Sequence, residues 1–315
     1  MLLKRQLHPT GSSPVARIID AAGQIILGKE AQIRMALACL LARGHLLIED
    51  IPGVGKTMLA HALATSLGLA FQRIQFTSDL LPADIIGVSI YNRDTGGFQF
   101  HSGPIFSQVV LADEVNRATP KAQSALLEAM EEHQVTTEGE TRHLPEPFFV
   151  IATQNPSYQV GTFPLPESQL DRFLMRVHLG YPDSAAERAL LQGRDRRDLL
   201  ATLKPAMTPQ ELTVLQHRAQ QVHASNALFD YVQALTDHTR RAADYVNGLS
   251  PRAALALLHA ARAWALMAGR DHVVPEDVQA VLPAVVGHRL VPTGEITRAN
   301  GADIAAQLIK QVAIP

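Results

Sequence analysis

The chain has 315 residues, 47% of them hydrophobic, which exceeds the length at which a single core stops growing and predicts two domains. Its 28 lysine and arginine residues nearly balance 30 aspartate and glutamate residues, so it lacks the overall basic charge of most nucleic-acid-binding proteins, although a local basic patch fits within that balance. The single cysteine, Cys39, excludes an internal disulfide and fits a reducing compartment, and the 13 scattered histidines lack the spacing of zinc ligands.

The hydropathy of the chain gives no indication of a membrane protein. No apolar run approaches the roughly 20 residues that a membrane span needs, and residues 1–5 lack the apolar core of a signal peptide. We therefore expect a soluble cytoplasmic protein. Residues 1–13 are polar, and we expect them to be frayed.

The first half of the chain alternates predicted helices and strands, which is typical of an α/β domain. Apolar spacing predicts a helix over residues 30–42. Apolar or alternating runs predict five strands of a central parallel sheet, at residues 45–48, 71–76, 109–112, 148–153 and 174–179. A short helix over 79–86 and two hairpins, one turning at residues 94–97 and one at Glu138-Gly139, are insertions in this pattern. They are either working parts of the protein or surface decoration.

Residues 49–57, EDIPGVGKT, lie between the first predicted strand and an alanine- and leucine-rich segment at 58–67. This order of strand, glycine loop and helix is typical of a P-loop, in which backbone N–H groups and a helix N-terminus surround phosphate oxygens. Lys56 is predicted to reach the β- and γ-phosphates of ATP, and Thr57 to hold Mg²⁺. Asp50 stands where the general motif has its first glycine. The predicted nucleotide contacts are Gly28, Gly53, Val54, Gly55, Lys56, Thr57 and Met58.

Two carboxylates follow the apolar strand at 109–112. They stand at its carboxyl end, where ligands bind in parallel sheets. Asp113 is predicted to help hold Mg²⁺, directly or through water. Glu114 is predicted to polarise the water that attacks the γ-phosphate. Asn155 ends the next strand, where it either orients that water or caps the following loop. With the P-loop upstream, these residues favour an ATPase site.

The second half of the chain is predicted to be entirely helical, so residues 183–315 would form an all-α lid on an α/β core of residues 1–182. The strongest helix start is Thr208-Pro209-Gln210-Glu211, which combines a cap, a proline in the first turn and a glutamate at the third position. Further helices are predicted at 227–243, 251–269, 275–287 and 304–309, and residues 194–198 are a solvated charge run. ATP wedged between core and lid would couple hydrolysis to their relative rotation.

The order of these parts resembles that of AAA+ ATPases. The amino-acid sequences of the motifs are similar to those of the MoxR family in particular. The motifs are EDIPGVGKT at 49–57, LADEVNRA at 111–118, ATQNP at 152–156, GTFPLPE at 161–167 and QLDRF at 169–173. The resemblance runs from about residue 18 to residue 290. An acidic residue at the position of Asp50 is itself similar to what MoxR proteins carry.

The resemblance implies specific roles for Asn155 and for two further residues. Asn155 matches sensor 1, Arg172 matches the arginine finger that reaches the γ-phosphate bound by a neighbouring subunit, and Arg252 matches the sensor 2 arginine that contacts phosphate in its own subunit. The alternatives are that Arg172 pairs with Asp171 or Glu167, and that Arg252 is an ordinary surface arginine. The two hairpins resemble the helix-2 insert and the pre-sensor-1 hairpin, which face the pore or the substrate in related rings.

The resemblance also implies a function: a Mg²⁺-dependent ATPase that binds ATP and ADP, assembles into a ring, expected to be a hexamer, and remodels a protein partner, often together with a von Willebrand factor A domain protein. A nucleic-acid motor is one alternative, but only five dispersed basic residues lie between residues 71 and 144: Arg73, Arg93, Arg117, Lys121 and Arg142. A nucleotide-gated scaffold with negligible turnover is another. Glu114 argues against it, because a pure switch needs no catalytic base.

Overall fold

The computed structural model of the chain describes residues 13–94, 96–155, 161–293 and 300–315. The predicted frayed segment up to residue 12, Thr95 of the first hairpin turn and Pro156 of the ATQNP motif lie outside these ranges. The strands of the described residues are β1 (Leu46–Glu49), β2 (Phe71–Gln75), β3 (Gly87–Asn92), β4 (Gly97–Ser102), β5 (Val109–Asp113), β6 (Gln134–Thr137), β7 (Glu140–His143), β8 (Phe149–Gln154) and β9 (Met175–Val177).

Helices alternate with these strands and then follow them. The helices are α1 (Pro14–Ile25), α2 (Glu30–Leu41), α3 (Lys56–Ser66), α4 (Pro82–Ile86), α5 (Pro120–Glu132), α6 (Glu167–Leu170), α7 (Ser184–Gln192), α8 (Arg196–Ala201), α9 (Pro209–Gln221), α10 (Asn226–Arg241), α11 (Pro251–Met267), α12 (Pro275–Val286) and α13 (Gly301–Gln311). We use "lid" for α7 to α13. No strand longer than an isolated bridge occurs in the described part of the lid.

A five-stranded parallel sheet with the strand order β2-β5-β8-β1-β9 forms the centre of the core, which confirms the predicted fold class. All residues of β5 are buried, as expected for a parallel strand covered on both faces. Alternate residues of the strands serve two hydrophobic clusters. Leu46 and Ile48 pack with α1 to α3 and the lid, whereas Leu47 packs with α5. Cys39, on α2, is completely buried in the first cluster.

The two inserted hairpins, β3–β4 and β6–β7, form separate two-stranded sheets. The second has the predicted bounds, because Glu138 and Gly139 both adopt the positive φ that a tight turn requires. Ser89 donates a hydrogen bond to Glu138, and the Arg142 guanidinium lies 3.9 Å from the centre of the Phe100 ring. The two hairpins therefore contact each other.

Several elements differ from the sequence-based prediction, among them α6 and α7, which were not predicted individually, and the following three. Helix α1 was not predicted; Ser13 caps it, and Ile18, Ile19 and Ile25 form its buried face. The charge run at 194–198 leads into helix α8, because Asp195 caps the backbone N–H of Arg197. Strand β9 ends at Val177 rather than at residue 179, because the backbone N–H groups of residues 179 and 180 bond to a side chain instead of to a strand.

Candidate functional site

The glycine loop between β1 and α3 has the geometry of an anion site. Gly53 and Gly55 have φ values of 85° and 96°, which side-chain-bearing residues rarely adopt. Gly55 is the N-cap of α3, and it offers no side chain to the N–H groups of the first turn. Those N–H groups and the positive end of the helix dipole are the features by which helix N-termini bind phosphate.

Lys56 begins α3 and lies inside the loop. Its Nζ donates to the Asp50 carbonyl oxygen at 2.6 Å and to Asn155 Oδ1 at 3.2 Å. Burial lowers the pKa of the Lys56 ammonium, while the carboxylates of Asp50, Asp113 and Glu114 oppose that shift. The two hydrogen bonds fix the position of the Lys56 ammonium inside the loop.

Asp50 joins the loop to the end of β9. Its Oδ2 accepts the backbone N–H groups of Leu179 at 2.7 Å and Gly180 at 2.6 Å, and its Oδ1 accepts that of Ile51 at 2.8 Å. The residue that departs from the general P-loop motif is thus a structural carboxylate.

Asp113, at the end of β5, faces the first turn of α3. Its Oδ2 lies 3.5 Å from Thr57 Oγ1, and its Oδ1 accepts a 2.6 Å hydrogen bond from Thr153. Arg73, on β2, also donates to Oδ2, from Nε at 3.0 Å and from Nη2 at 2.6 Å. The sequence analysis did not find Arg73 or Thr153.

The donors at this position fit Mg²⁺. Thr57 supplies a hydroxyl oxygen and Asp113 a carboxylate oxygen, which are hard ligands of the kind that Mg²⁺ prefers. Within the described ranges, no group of three or more His, Cys, Asp or Glu side chains could hold a metal by itself. Mg²⁺ in nucleotide sites is usually bound through one or two protein groups together with substrate phosphates.

Glu114 follows Asp113 with a left-handed backbone, φ 56° and ψ 46°, which is uncommon for a side-chain-bearing residue. Its Oε1 accepts from Asn155 Nδ2 at 3.0 Å. Its Oε2 accepts from Gln75 Nε2 and from Arg117 Nη1, both at 2.9 Å. Gln75 and Arg117 were not predicted to be site residues. These donors fix the Glu114 carboxylate beside the glycine loop.

A cleft of about 290 Å³ contains most of the predicted site. Its lining residues are Pro52, Gly53, Gly55, Lys56, Thr57, Met58, Asp113, Glu114 and Asn155. No described lid residue is among them. The lining of this cleft therefore does not support the expectation that ATP binds between the core and the lid. Val54 packs against the hydrophobic core instead, and Gly28 lines a separate groove of about 800 Å³ between α1 and α2.

Arg172 and Arg252 lie away from this cleft. Arg172 Nη1 donates to the carbonyl oxygen of Leu127 at 2.6 Å, and Arg252 Nη2 pairs with Glu131 at 2.5 Å. Leu127 and Glu131 are one turn apart on α5, so the two arginines contact neighbouring positions of the same helix. Neither alternative partner of Arg172 is used: Asp171 pairs with Arg289, and Glu167 accepts from Asn247.

The backbone places the Arg172 segment at the amino ends of the parallel strands, whereas the glycine loop lies at their carboxyl ends. Leu174 N–H donates to His45 O, just before β1 begins, whereas the loop follows the last residue of β1. The length of β1, roughly 15 Å, separates these two positions. The expectation that Arg252 contacts phosphate in its own subunit is therefore not supported by its position against α5.

Comparisons with known proteins indicate the family to which the chain is similar. The family described as ATPases associated with various cellular activities (AAA) matches residues 45–175, and the AAA lid domain matches residues 237–308. The chain is 43% identical to YeaC, an uncharacterised Bacillus subtilis protein, over 100% of this chain and 98% of the relative. It is 42% identical to Chaperone MoxR1 of Mycobacterium tuberculosis, over 88% of this chain and 75% of that protein. The crystal structure of a provisionally identified ATPase from Cytophaga hutchinsonii is 37% identical, with a TM-score of 0.88 over 96% of this chain and 95% of that one.

Proposed function

Because the chain belongs to the MoxR family of AAA+ ATPases, we propose that it hydrolyses ATP with Mg²⁺ in a head-to-tail ring and uses the reaction to remodel a protein partner. One observation carries this proposal. The residues proposed to bind phosphate and activate water line one cleft at the carboxyl ends of the strands, whereas Arg172 lies at the opposite, amino ends of the same strands. Such a site is complete only when a second copy of the chain supplies the arginine.

Within the cleft, the side chains have distinct roles in the proposed reaction. The loop N–H groups and Lys56 bind the β- and γ-phosphates. Asn155 holds one Glu114 oxygen, so that the carboxylate is oriented to accept a proton from the attacking water. The water oxygen bonds to the γ-phosphorus, the bond to the ADP oxygen breaks, and Glu114 takes the proton. Mg²⁺, held by Thr57 and Asp113, would neutralise charge on the phosphate oxygens.

Both arginines are proposed to act in a neighbouring subunit. Arg172 would stabilise charge on the transferred phosphoryl group, a contribution of about 10³- to 10⁵-fold in kcat for arginine fingers. Arg252 contacts α5 one turn beyond Arg172, which supports a role in the same neighbouring site rather than in its own. This changes the role that the family resemblance implies for Arg252.

A protein is favoured over a nucleic acid as the partner. The β3–β4 hairpin exposes apolar side chains, including Tyr91 and Phe98, the latter 77% exposed, and these two rings contact each other edge to face. An apolar surface of this kind suits protein contacts, and it lacks the clustered positive charge that phosphate backbones require. A von Willebrand factor A domain protein is proposed as the partner that works with this chain in the remodelling. No helix of the described chain is long and apolar enough to cross a membrane.

The proposal is tested by complementation between two inactive variants. ATP turnover is measured against protein concentration for wild type, Glu114→Gln and Arg172→Ala, and for the two variants mixed before assembly. We expect each variant to be nearly inactive alone and Glu114→Gln to keep its ATP affinity. We expect the mixture to recover activity, because an intact cleft then meets an intact arginine. Wild-type turnover in Arg172→Ala alone would contradict the arginine assignment.

A further inference from the structure

One lid side chain, Arg289, contacts the segment that carries Arg172 at several points. Arg289, three residues beyond the end of α12, is only 5% exposed. Its Nε donates to Asp171 Oδ1 at 2.7 Å, and its Nη2 donates to the carbonyl oxygens of Asp171 at 3.1 Å and Phe173 at 2.7 Å. Its Nη1 donates to the carbonyl oxygen of Leu174 at 3.1 Å. One guanidinium thus binds the backbone on both sides of Arg172.

The same guanidinium is also attached to the lid. Nη1 donates a second hydrogen bond, at 2.6 Å, to the carbonyl oxygen of Val285 in α12. The neighbouring His288 Nε2 lies 2.9 Å from the Phe173 carbonyl oxygen. The turn that ends α12 and the residues around Arg172 are therefore joined by several short contacts.

Asp171 extends this connection to the helix that carries Arg252. Its second oxygen, Oδ2, accepts from Ser250 Oγ at 3.1 Å. Ser250 is the N-cap of α11 and accepts the N–H of Ala253, so Arg252 lies in the turn that this serine caps. One carboxylate consequently links the backbone next to Arg172 to the first turn of α11.

We infer that Asp171 and Arg289 are positioning residues that hold Arg172 and Arg252 at a fixed spacing, so that both arginines enter the neighbouring subunit's cleft together and move with the lid. The inference rests on the proposed function, because the two arginines act on a reaction only if the site is shared. Arginine suits this role because its planar fork makes several directed hydrogen bonds at once, which a lysine ammonium on a flexible stem cannot reproduce.

The first test separates positioning from general stability. Arg289→Lys and Asp171→Asn are compared with Arg270→Lys, a control that alters another lid arginine paired with a buried aspartate, Asp277. We expect the first two variants to lose about 10²-fold in kcat at unchanged KM, because a 1 Å displacement of a catalytic group costs that much. The control is expected to keep the wild-type kcat. Wild-type kcat in both Arg289→Lys and Asp171→Asn would overturn the inference.

The second test is complementation. Arg289→Lys keeps an intact cleft, so we expect mixing it with Glu114→Gln before assembly to restore about a quarter of wild-type turnover. Half of the clefts are intact in such a mixture, and half of those meet an intact neighbour. The same fraction is expected for Arg172→Ala mixed with Glu114→Gln. A role in stability or in the variant's own cleft would not be rescued. If Arg172→Ala recovers and Arg289→Lys does not, the inference fails while the proposed function stands. If neither recovers, the shared site itself is refuted, and the inference with it.

Discussion

At the scale of single residues, Asp50 shows how a departure from a general motif has a local physical cause. It accepts three backbone N–H groups, two of them from residues that follow β9. Its own carbonyl oxygen accepts from Lys56 Nζ. The carboxylate thereby fixes the part of the loop that orients the lysine.

Replacing this carboxylate should loosen the loop. In Asp50→Asn, the amide group points a donor at N–H groups that need an acceptor, so we expect about 1–2 kcal/mol lower free energy of unfolding. We expect ATP to bind about tenfold more weakly, equivalent to about 1.4 kcal/mol. Fluorescent-nucleotide titration and urea unfolding measure both effects. Asp195→Asn, which alters a helix cap elsewhere, should leave ATP affinity unchanged; equal affinity in Asp50→Asn would contradict the prediction.

Three of the residues missed by the sequence analysis share one property. Arg73, Gln75 and Thr153 reach the site from strands on either side of β5. The predicted site residues stand out because glycine loops and acidic strand ends have recognisable local patterns. A polar residue on a neighbouring strand is indistinguishable from an ordinary edge residue until the order of strands is known.

At the scale of elements, His45 joins three of them. It precedes β1; its Nδ1 accepts the Val150 N–H of β8 at 3.0 Å, and its Nε2 lies 3.2 Å from the Met130 carbonyl oxygen of α5. Because Nδ1 is an acceptor, Nε2 must carry the proton and the ring is neutral. Burial lowers the pKa of His45 from 6.5 to about 4.

This burial predicts acid sensitivity. Between pH 6.5 and 4, the unfolded chain binds a proton at His45 and the folded chain does not, so the free energy of unfolding falls as the pH falls. Between pH 7.5 and 5 this amounts to about 2 kcal/mol. Urea unfolding at both pH values should show a decrease smaller by about that amount in His45→Gln. The exposed His217→Gln should retain the wild-type decrease, and an unchanged decrease in His45→Gln would refute the assignment.

The secondary-structure elements were mostly predictable because each has its own local pattern. The β6–β7 hairpin combines alternating residues with Glu138-Gly139, and both strand bounds were predicted correctly. Helix α1 was missed because its apolar residues were noted without a start signal, although Ser13 and Pro14 supply one.

At the scale of the whole molecule, the parallel sheet fixes a direction. The glycine loop lies at the carboxyl ends of the strands and Arg172 at the amino end of β9. The motifs alone could not determine where Arg252 lies, because its position depends on how the lid packs against α5 rather than on local sequence. The all-α lid on a parallel core follows from composition and periodicity, whereas this docking does not.

The placement of the cleft and Arg172 at opposite ends of the strands predicts how altered subunits inhibit intact ones in a mixed assembly. If the site is shared as proposed, a Glu114→Gln subunit would disable its own cleft and an Arg172→Ala subunit its neighbour's, so each should lower the turnover of a wild-type mixture linearly. A subunit with both substitutions disables two sites. In an equal mixture with wild type we expect about half the turnover for either single variant and about a quarter for the double variant. ATP turnover of mixed assemblies measures this, and identical curves for all three would contradict a head-to-tail arrangement.

The placement of the cleft and Arg172 at opposite ends of the strands also has a genetic consequence. Consider a cell that expresses both a normal copy and a doubly substituted copy of this chain. The altered subunits would enter mixed assemblies and inactivate the sites of normal subunits. A deletion would then be recessive wherever one copy suffices, whereas the double substitution would be dominant, and its severity would increase with its expression level.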